Sequence, residues 1–170
     1  MKRMEEKILS EGQVLPGDIL KVGSFLNQNI DTDLLKEMAD EIARLFGRDG
    51  VTKILTIEAS GIAIAAAAGM TLGVPVLFAK KHKTSNVDGG VYSTVVHSFT
   101  HNEDYHVVVS RDYLSADDRV LLVDDFLANG KGLETYGAFY WWESETVVSN
   151  PENYIVCSPL IGPNGAGKTT

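Results

Sequence analysis

The stretch Val120-Leu-Leu-Val-Asp-Asp-Phe-Leu-Ala-Asn-Gly130 decides how this sequence is read. Four consecutive apolar residues with no polar partner in the alternation describe a strand buried on both faces, as in a parallel sheet covered by other elements. Two carboxylates end it, and a turn of small residues follows. In open α/β sheets, ligands bind beyond the carboxyl ends of the strands. Asp124 and Asp125 would stand at such an end. There they could accept hydrogen bonds from the vicinal hydroxyls of a ribose, while the turn offers successive backbone amides to a phosphate. Two adjacent acids alone are more simply an acidic turn that caps the next helix; the whole string argues for a site.

Upstream, the chain repeats a strand–helix–strand rhythm. Leu34, Leu35, Met38, Ile42, Leu45 and Phe46 recur at helical spacing, with Asp31 as N-cap and Gly47 as the stop, which predicts a helix over 31–46. Lys53-Ile-Leu-Thr-Ile-Glu58 predicts a strand, Ala59-Ser-Gly61 a turn, and the Ala-rich run to about Met70 a helix. Gly73 ends that helix and Val74–Ala79 reads as the next strand. Residues 80–90 read as a polar loop. Val91–Phe99 and Tyr105–Arg111 read as the two arms of a hairpin. The predicted fold class is α/β with a parallel sheet.

Bulk properties narrow the functions. The 170 residues suit one domain, and 44% hydrophobic with 22% charged residues is the balance of a soluble globular chain. Fifteen Lys and Arg against 23 Asp and Glu leave a net charge of −8, a poor basis for nucleic-acid binding. The single Cys157 forms no internal disulfide and favours a reducing compartment. Residues 1–10 lack the apolar core of a secretion signal, and the most apolar stretch, Gly61–Leu72, is too short to span a bilayer. The expectation is therefore a cytoplasmic protein with no membrane or nucleic-acid partner. Its four histidines, at 82, 97, 101 and 106, form no metal-ligand pattern, so no resident metal site is expected.

The Val120–Gly130 string resembles the phosphoribosyl-diphosphate (PRPP) signature of the type I purine phosphoribosyltransferases, and Asp-Asp-Phe-Leu-Ala-Asn-Gly is similar to their xanthine branch. Hypoxanthine–guanine members carry a further acid three positions after the second; here that position is Ala128. Thr52-Lys-Ile-Leu-Thr-Ile-Glu-Ala-Ser-Gly-Ile-Ala63 resembles the family's strand and diphosphate loop. Phe78-Ala-Lys-Lys-His-Lys83 resembles the next strand and its basic end, and Thr84–Gly90 the lid. Leu20-Lys-Val-Gly-Ser-Phe-Leu-Asn27 resembles the segment holding the base.

The resemblance implies a type I phosphoribosyltransferase-like parallel sheet core, helices on both faces, and a small N-terminal hood over the base. It implies transfer of the phosphoribosyl group from PRPP to xanthine, giving xanthosine monophosphate and pyrophosphate, with Mg²⁺ accompanying PRPP and a homodimer as the acting unit. Asp124 and Asp125 would orient the ribose. Ala128, Asn129, Gly130, Lys131 and Gly132 would hold the 5-phosphate, Ser60, Gly61 and Lys81 the diphosphate, and Leu20 and Asn27 the base.

Residues 131–170 depart from this pattern. Five aromatics fall between Tyr136 and Trp142, no counterpart of the family's later base-side Lys is found (Val156 stands near its place), and Gly162-Pro-Asn-Gly-Ala-Gly-Lys-Thr169 satisfies the Walker A phosphate-loop pattern. That loop needs a following helix, and Thr170 is the last residue of the sequence. A transferase domain over 1–130 followed by an atypical segment over 131–170 is the expected organisation. Two other readings stand beside catalysis: a PRPP-binding or inactivated chimeric transferase, and a P-loop nucleotide-binding fragment.

Overall fold

The computed structural model describes residues 1–15, 19–82, 90–98, 103–125 and 154–157. The chain starts with helix α1, Lys2–Glu11, followed by a short antiparallel ribbon of β1, Gln13–Leu15, and β2, Ile19–Lys21. A single π-helical turn spans Gly23–Asn27. Helix α2, Thr32–Phe46, is capped by Asp31, whose carboxylate accepts from the amides of Asp33 and Leu34 at 3.1 and 3.0 Å. Strand β3, Lys53–Ile57, leads into helix α3, Gly61–Leu72, and then β4, Val76–His82. Gly73 closes α3 in the left-handed region at φ 71°, a conformation that costs other residues strain. The hairpin β5, Val91–Ser98, with β6, Glu103–Ser110, precedes β7, Val120–Val123; β8 is Tyr154–Cys157.

Among the described residues the main sheet has the order β5-β6-β4-β3-β7-β8. Strands β4, β3, β7 and β8 run parallel, while β6 joins β4 antiparallel and carries β5 with it. The sheet is thus a parallel core extended by an antiparallel hairpin. Strand β8 comes from the segment that departs from the family pattern, and it pairs with β7 in the register Leu121↔Ile155 and Leu122↔Val156. Strand β4 starts two residues later than the apolar run predicts and runs on through His82, because Lys80–His82 pair with Val108–His106 of β6. The backbone ladder overrides the polarity of those side chains.

The alternation along the strands divides two cores. On one face Ile54, Leu121 and Val123 pack with Leu34, Met38, Ile42 and Phe46 of α2 and with Ile64, Ala65 and Ala68 of α3. The small residues of α3 let it approach both the sheet and α2 closely. The N-terminal segment joins the same core through Met4, Val22, Phe25 and Leu26. On the other face Leu55, Ile57, Ala79, Val107, Val109, Leu114, Val120 and Leu122 form the second core. Both long described helices, α2 and α3, therefore share one face, and among the described residues no α-helix joins the core on the other. No described helix is long and apolar enough to cross a membrane.

Candidate active site

Strands β3, β4 and β7 bring their carboxyl ends to one edge of the sheet. Parallel pairing sets Leu55 beside Leu122 and Ile57 beside Ala79, so the residues that follow these strands converge. After β7 come Asp124 and Asp125. After β3 come Glu58, Ala59 and Ser60, with a cis peptide between Glu58 and Ala59. At the end of β4 come Lys80 and Lys81.

Asp124 is half-buried and Asp125 is buried, with 6% of its surface exposed. The Asp125 amide donates to Asp124 Oδ1 at 2.9 Å. Burial pushes the Asp124 carboxyl up, and the neighbouring Asp125 charge adds to it, giving a pKa of about 7. The Asp125 amide and the positive charge of Lys81 oppose that rise. The Asp124 carboxyl thus holds its proton well above the ordinary carboxylate range, a perturbation typical of functional sites.

Gly61 opens α3 against this pair. A Cβ on Gly61 would collide with Thr56 Oγ1 and would stand 3.1 Å from Asp124 Oδ1. Only glycine leaves this space open. Ser60 occupies the N-cap position in helical geometry and makes no side-chain cap. No side chain caps the first turn of α3, where the Ile62 amide donates to Ala59 O at 3.2 Å, and the positive end of the helix dipole faces this edge. Glu58 ties the turn to the basic strand end: its amide donates to Ala79 O at 3.0 Å, and its carboxylate accepts from the Lys81 amide.

The structure thus brings Ser60, Gly61, Lys81, Asp124 and Asp125 to one end of the sheet. Leu20, on β2, packs half-buried against the helix-side core, and Asn27 ends the π-helical turn with its side chain exposed. Both belong to the N-terminal segment expected to form the hood. Ala128, Asn129, Gly130, Lys131 and Gly132 lie outside the described residues, as do most of the expected lid and the Walker A string. Thr56 and Glu58 belong to the site's surroundings but were not singled out by sequence reasoning. The signal for Thr56 was present: it is the one hydroxyl inside the buried run Lys53–Ile57.

Among the described residues no three His, Cys, Asp or Glu side chains gather as a metal site. The cleft lined by Met1, Lys2, Arg3, Glu6, Glu37, Asp40, Glu41 and Arg44 lies between α1 and α2, away from this edge, and its charges are largely paired with one another.

A parallel sheet with its acidic pair at the strand ends and a glycine-opened helix beside it defines an α/β protein of the type I phosphoribosyltransferase class. The fold is similar to APRTase from Giardia lamblia complexed with 9-deazaadenine, with a TM-score of 0.68 and 21% identity over 87% of this chain and 80% of that one. It is equally similar to adenine phosphoribosyltransferase from Rhodothermus marinus, with a TM-score of 0.68 and 16% identity over 97% and 89% of the two chains. In sequence the chain is 49% identical over 134 residues to xanthine phosphoribosyltransferase of Lactiplantibacillus plantarum, covering 79% of this chain and 69% of that protein. It is 53% identical over 131 residues to the xanthine phosphoribosyltransferase of Pseudomonas savastanoi pv. phaseolicola, covering 77% and 69%. No family model matches the chain. These identities and coverages settle the family: the chain belongs to the xanthine phosphoribosyltransferases.

Proposed function

We propose that the chain transfers the 5-phosphoribosyl group of PRPP to N9 of xanthine, giving xanthosine monophosphate and pyrophosphate. The observation that supports this most directly is the Asp124–Asp125 pair, set at the carboxyl end of β7 against the open N-terminus of α3. Vicinal ribose hydroxyls donate to the two carboxylates. The α3 amides and Lys81 face the diphosphate, the group on which negative charge grows as the glycosidic bond to it breaks. Holding base and ribose in line converts a two-substrate encounter into a positioned reaction.

Asp124 and Asp125 are hard oxygen donors of the kind Mg²⁺ takes, but among the described residues no third such side chain joins them to make a resident site. Mg²⁺ enters as part of the substrate, Mg·PRPP, and neutralises diphosphate charge. Leu20 and Asn27 contact the base, Asn27 offering both a donor and an acceptor to an oxopurine edge. Residues 128–132 hold the 5-phosphate through backbone amides. Residues 1–130 carry the substrate contacts of the transferase, β8 extends their sheet at β7, and two copies form the acting homodimer.

Calorimetric titration of the purified chain with Mg·PRPP, and separately with Mg·ATP, tests the reading, followed by turnover assays with xanthine, guanine, hypoxanthine and adenine. Binding of Mg·PRPP with preferred turnover of xanthine is the expected result. Binding of Mg·ATP alone would replace it with a P-loop function.

A further inference from the structure

Thr56 is fully buried in β3, and among the described residues its Oγ1 has no hydrogen-bond partner. Burying a hydroxyl without a partner costs free energy, whereas valine has nearly the same shape and a better fit to a buried strand. Stability alone would therefore favour Val at this position. The hydroxyl also dictates a neighbour. Gly61 lacks a Cβ where one would strike Thr56 Oγ1 and come within 3.1 Å of Asp124 Oδ1. The two oxygens thus border the same small space at the start of α3.

Resting on the phosphoribosyl-transfer reading, we propose that Thr56 is a positioning residue for that reaction: its hydroxyl faces Asp124 across the gap left by Gly61 and donates to the Asp124 carboxylate when Mg·PRPP is bound. Asp124 already takes one bond from the Asp125 amide on Oδ1. A carboxylate has acceptor capacity for more. A second donor, from a side chain held rigidly in the sheet, fixes the carboxylate against rotation while it accepts from the ribose. The hydroxyl touches no reacting atom and acts only through Asp124.

The test uses the full chain with Thr56→Val and Thr56→Ser, read by thermal denaturation, Mg·PRPP calorimetry and steady-state kinetics. Thr56→Val should keep or raise Tm, weaken Mg·PRPP about tenfold, the loss of one charge-assisted bond, and leave the KM for xanthine unchanged. Thr56→Ser, which keeps the hydroxyl, should restore Mg·PRPP affinity. Stability and function then move in opposite directions, which a packing role does not produce. Wild-type affinity and kcat/KM in Thr56→Val would overturn the proposal. So would a fall in Tm that accompanies the lost affinity, or failure of Thr56→Ser to restore binding in a stable variant. A folded wild-type chain that binds no Mg·PRPP would instead overturn the phosphoribosyl-transfer reading, and this inference with it.

Discussion

The Asp125 amide donates to Asp124 Oδ1 over 2.9 Å, yet the Asp124 carboxyl still titrates near pH 7, because burial and the Asp125 charge outweigh that bond. An acid whose folded pKa lies above its unfolded value near 3.8 is stabilising in its protonated form. That contribution is fully present below about pH 4 and is lost as pH rises through about 7. Asp124→Asn, neutral at every pH, should therefore gain Tm relative to the wild type as pH goes from 5 to 8. Thermal denaturation of the ligand-free proteins across that range checks it. A difference in Tm that does not change with pH would mean that Asp124 is ionised throughout.

The same substitution should be costly for the ligand. If the carboxylates accept from ribose hydroxyls, each lost charge-assisted bond is worth about 1.5–3 kcal/mol, about ten- to a hundredfold in Kd. Asp124→Asn with Asp125→Asn should abolish measurable Mg·PRPP binding by calorimetry. Unchanged affinity in the double variant would remove both residues from the site. Asp124 is thus expected to trade ligand-free stability above neutral pH for binding.

Much of this architecture was legible because apolar periodicity reports burial. The helix from Asp31 to Phe46, the Lys53–Ile57 strand, the Ala-rich helix and the Val91–Ser110 hairpin all follow from side chains that must be hidden. Elements held mainly by backbone pairing were less visible. Lys80–His82 read as loop, since nothing in three polar residues signals that β6 lies beside them. Helix α1 was missed although Met4 and Ile8, four apart, both face the core; its charged remainder masks the short stripe. The acidic pair and the Ser60–Gly61 turn were recognisable as strings. The reason for Gly61 was not, because it depends on Thr56 and Asp124, which meet it only in space.

Away from the site, Asp118 pins the start of β3 to the turn that precedes β7. Its carboxylate takes Lys53 Nζ at 2.7 Å, the Ser115 amide at 2.9 Å and Thr52 Oγ1 at 3.0 Å. Burial by itself raises its pKa, but these three donors more than offset that and hold the group below the ordinary carboxylate range. Its stabilisation is therefore present above the unfolded pKa and fades as pH falls through the folded one. Asp118→Ala should lower stability by about 1–3 kcal/mol at pH 7 by leaving Lys53 and the Ser115 amide without this acceptor. Urea unfolding at pH 7 and at pH 3 checks both parts: the gap between wild type and variant should be wide at the first and narrow at the second. Kinetics at 25 °C should not change, since Asp118 sits at the opposite end of β3 from Asp124.

Gly61 and Gly73 bound the same helix for different reasons, and alanine should separate them. Gly73 has φ 71° with nothing within 4 Å of an added Cβ, so Gly73→Ala costs only backbone strain, about 1 kcal/mol, and leaves Mg·PRPP affinity intact. Gly61 has no positive φ; what it lacks is room. Its new methyl would press on the Thr56 hydroxyl, in a buried strand where a β-branched side chain has little freedom to turn, and would crowd Asp124. Gly61→Ala should lose about 1–3 kcal/mol of stability to overpacking, together with Mg·PRPP binding. Adding Thr56→Ala removes the obstructing atom, so the double variant should regain much of the stability lost in Gly61→Ala. It should not regain affinity, because the hydroxyl facing Asp124 is gone. Denaturation midpoints and calorimetry on the three variants decide the matter, and a Gly61→Ala protein as stable and as tight-binding as the wild type would show that the space between Thr56 and Asp124 serves neither folding nor ligand.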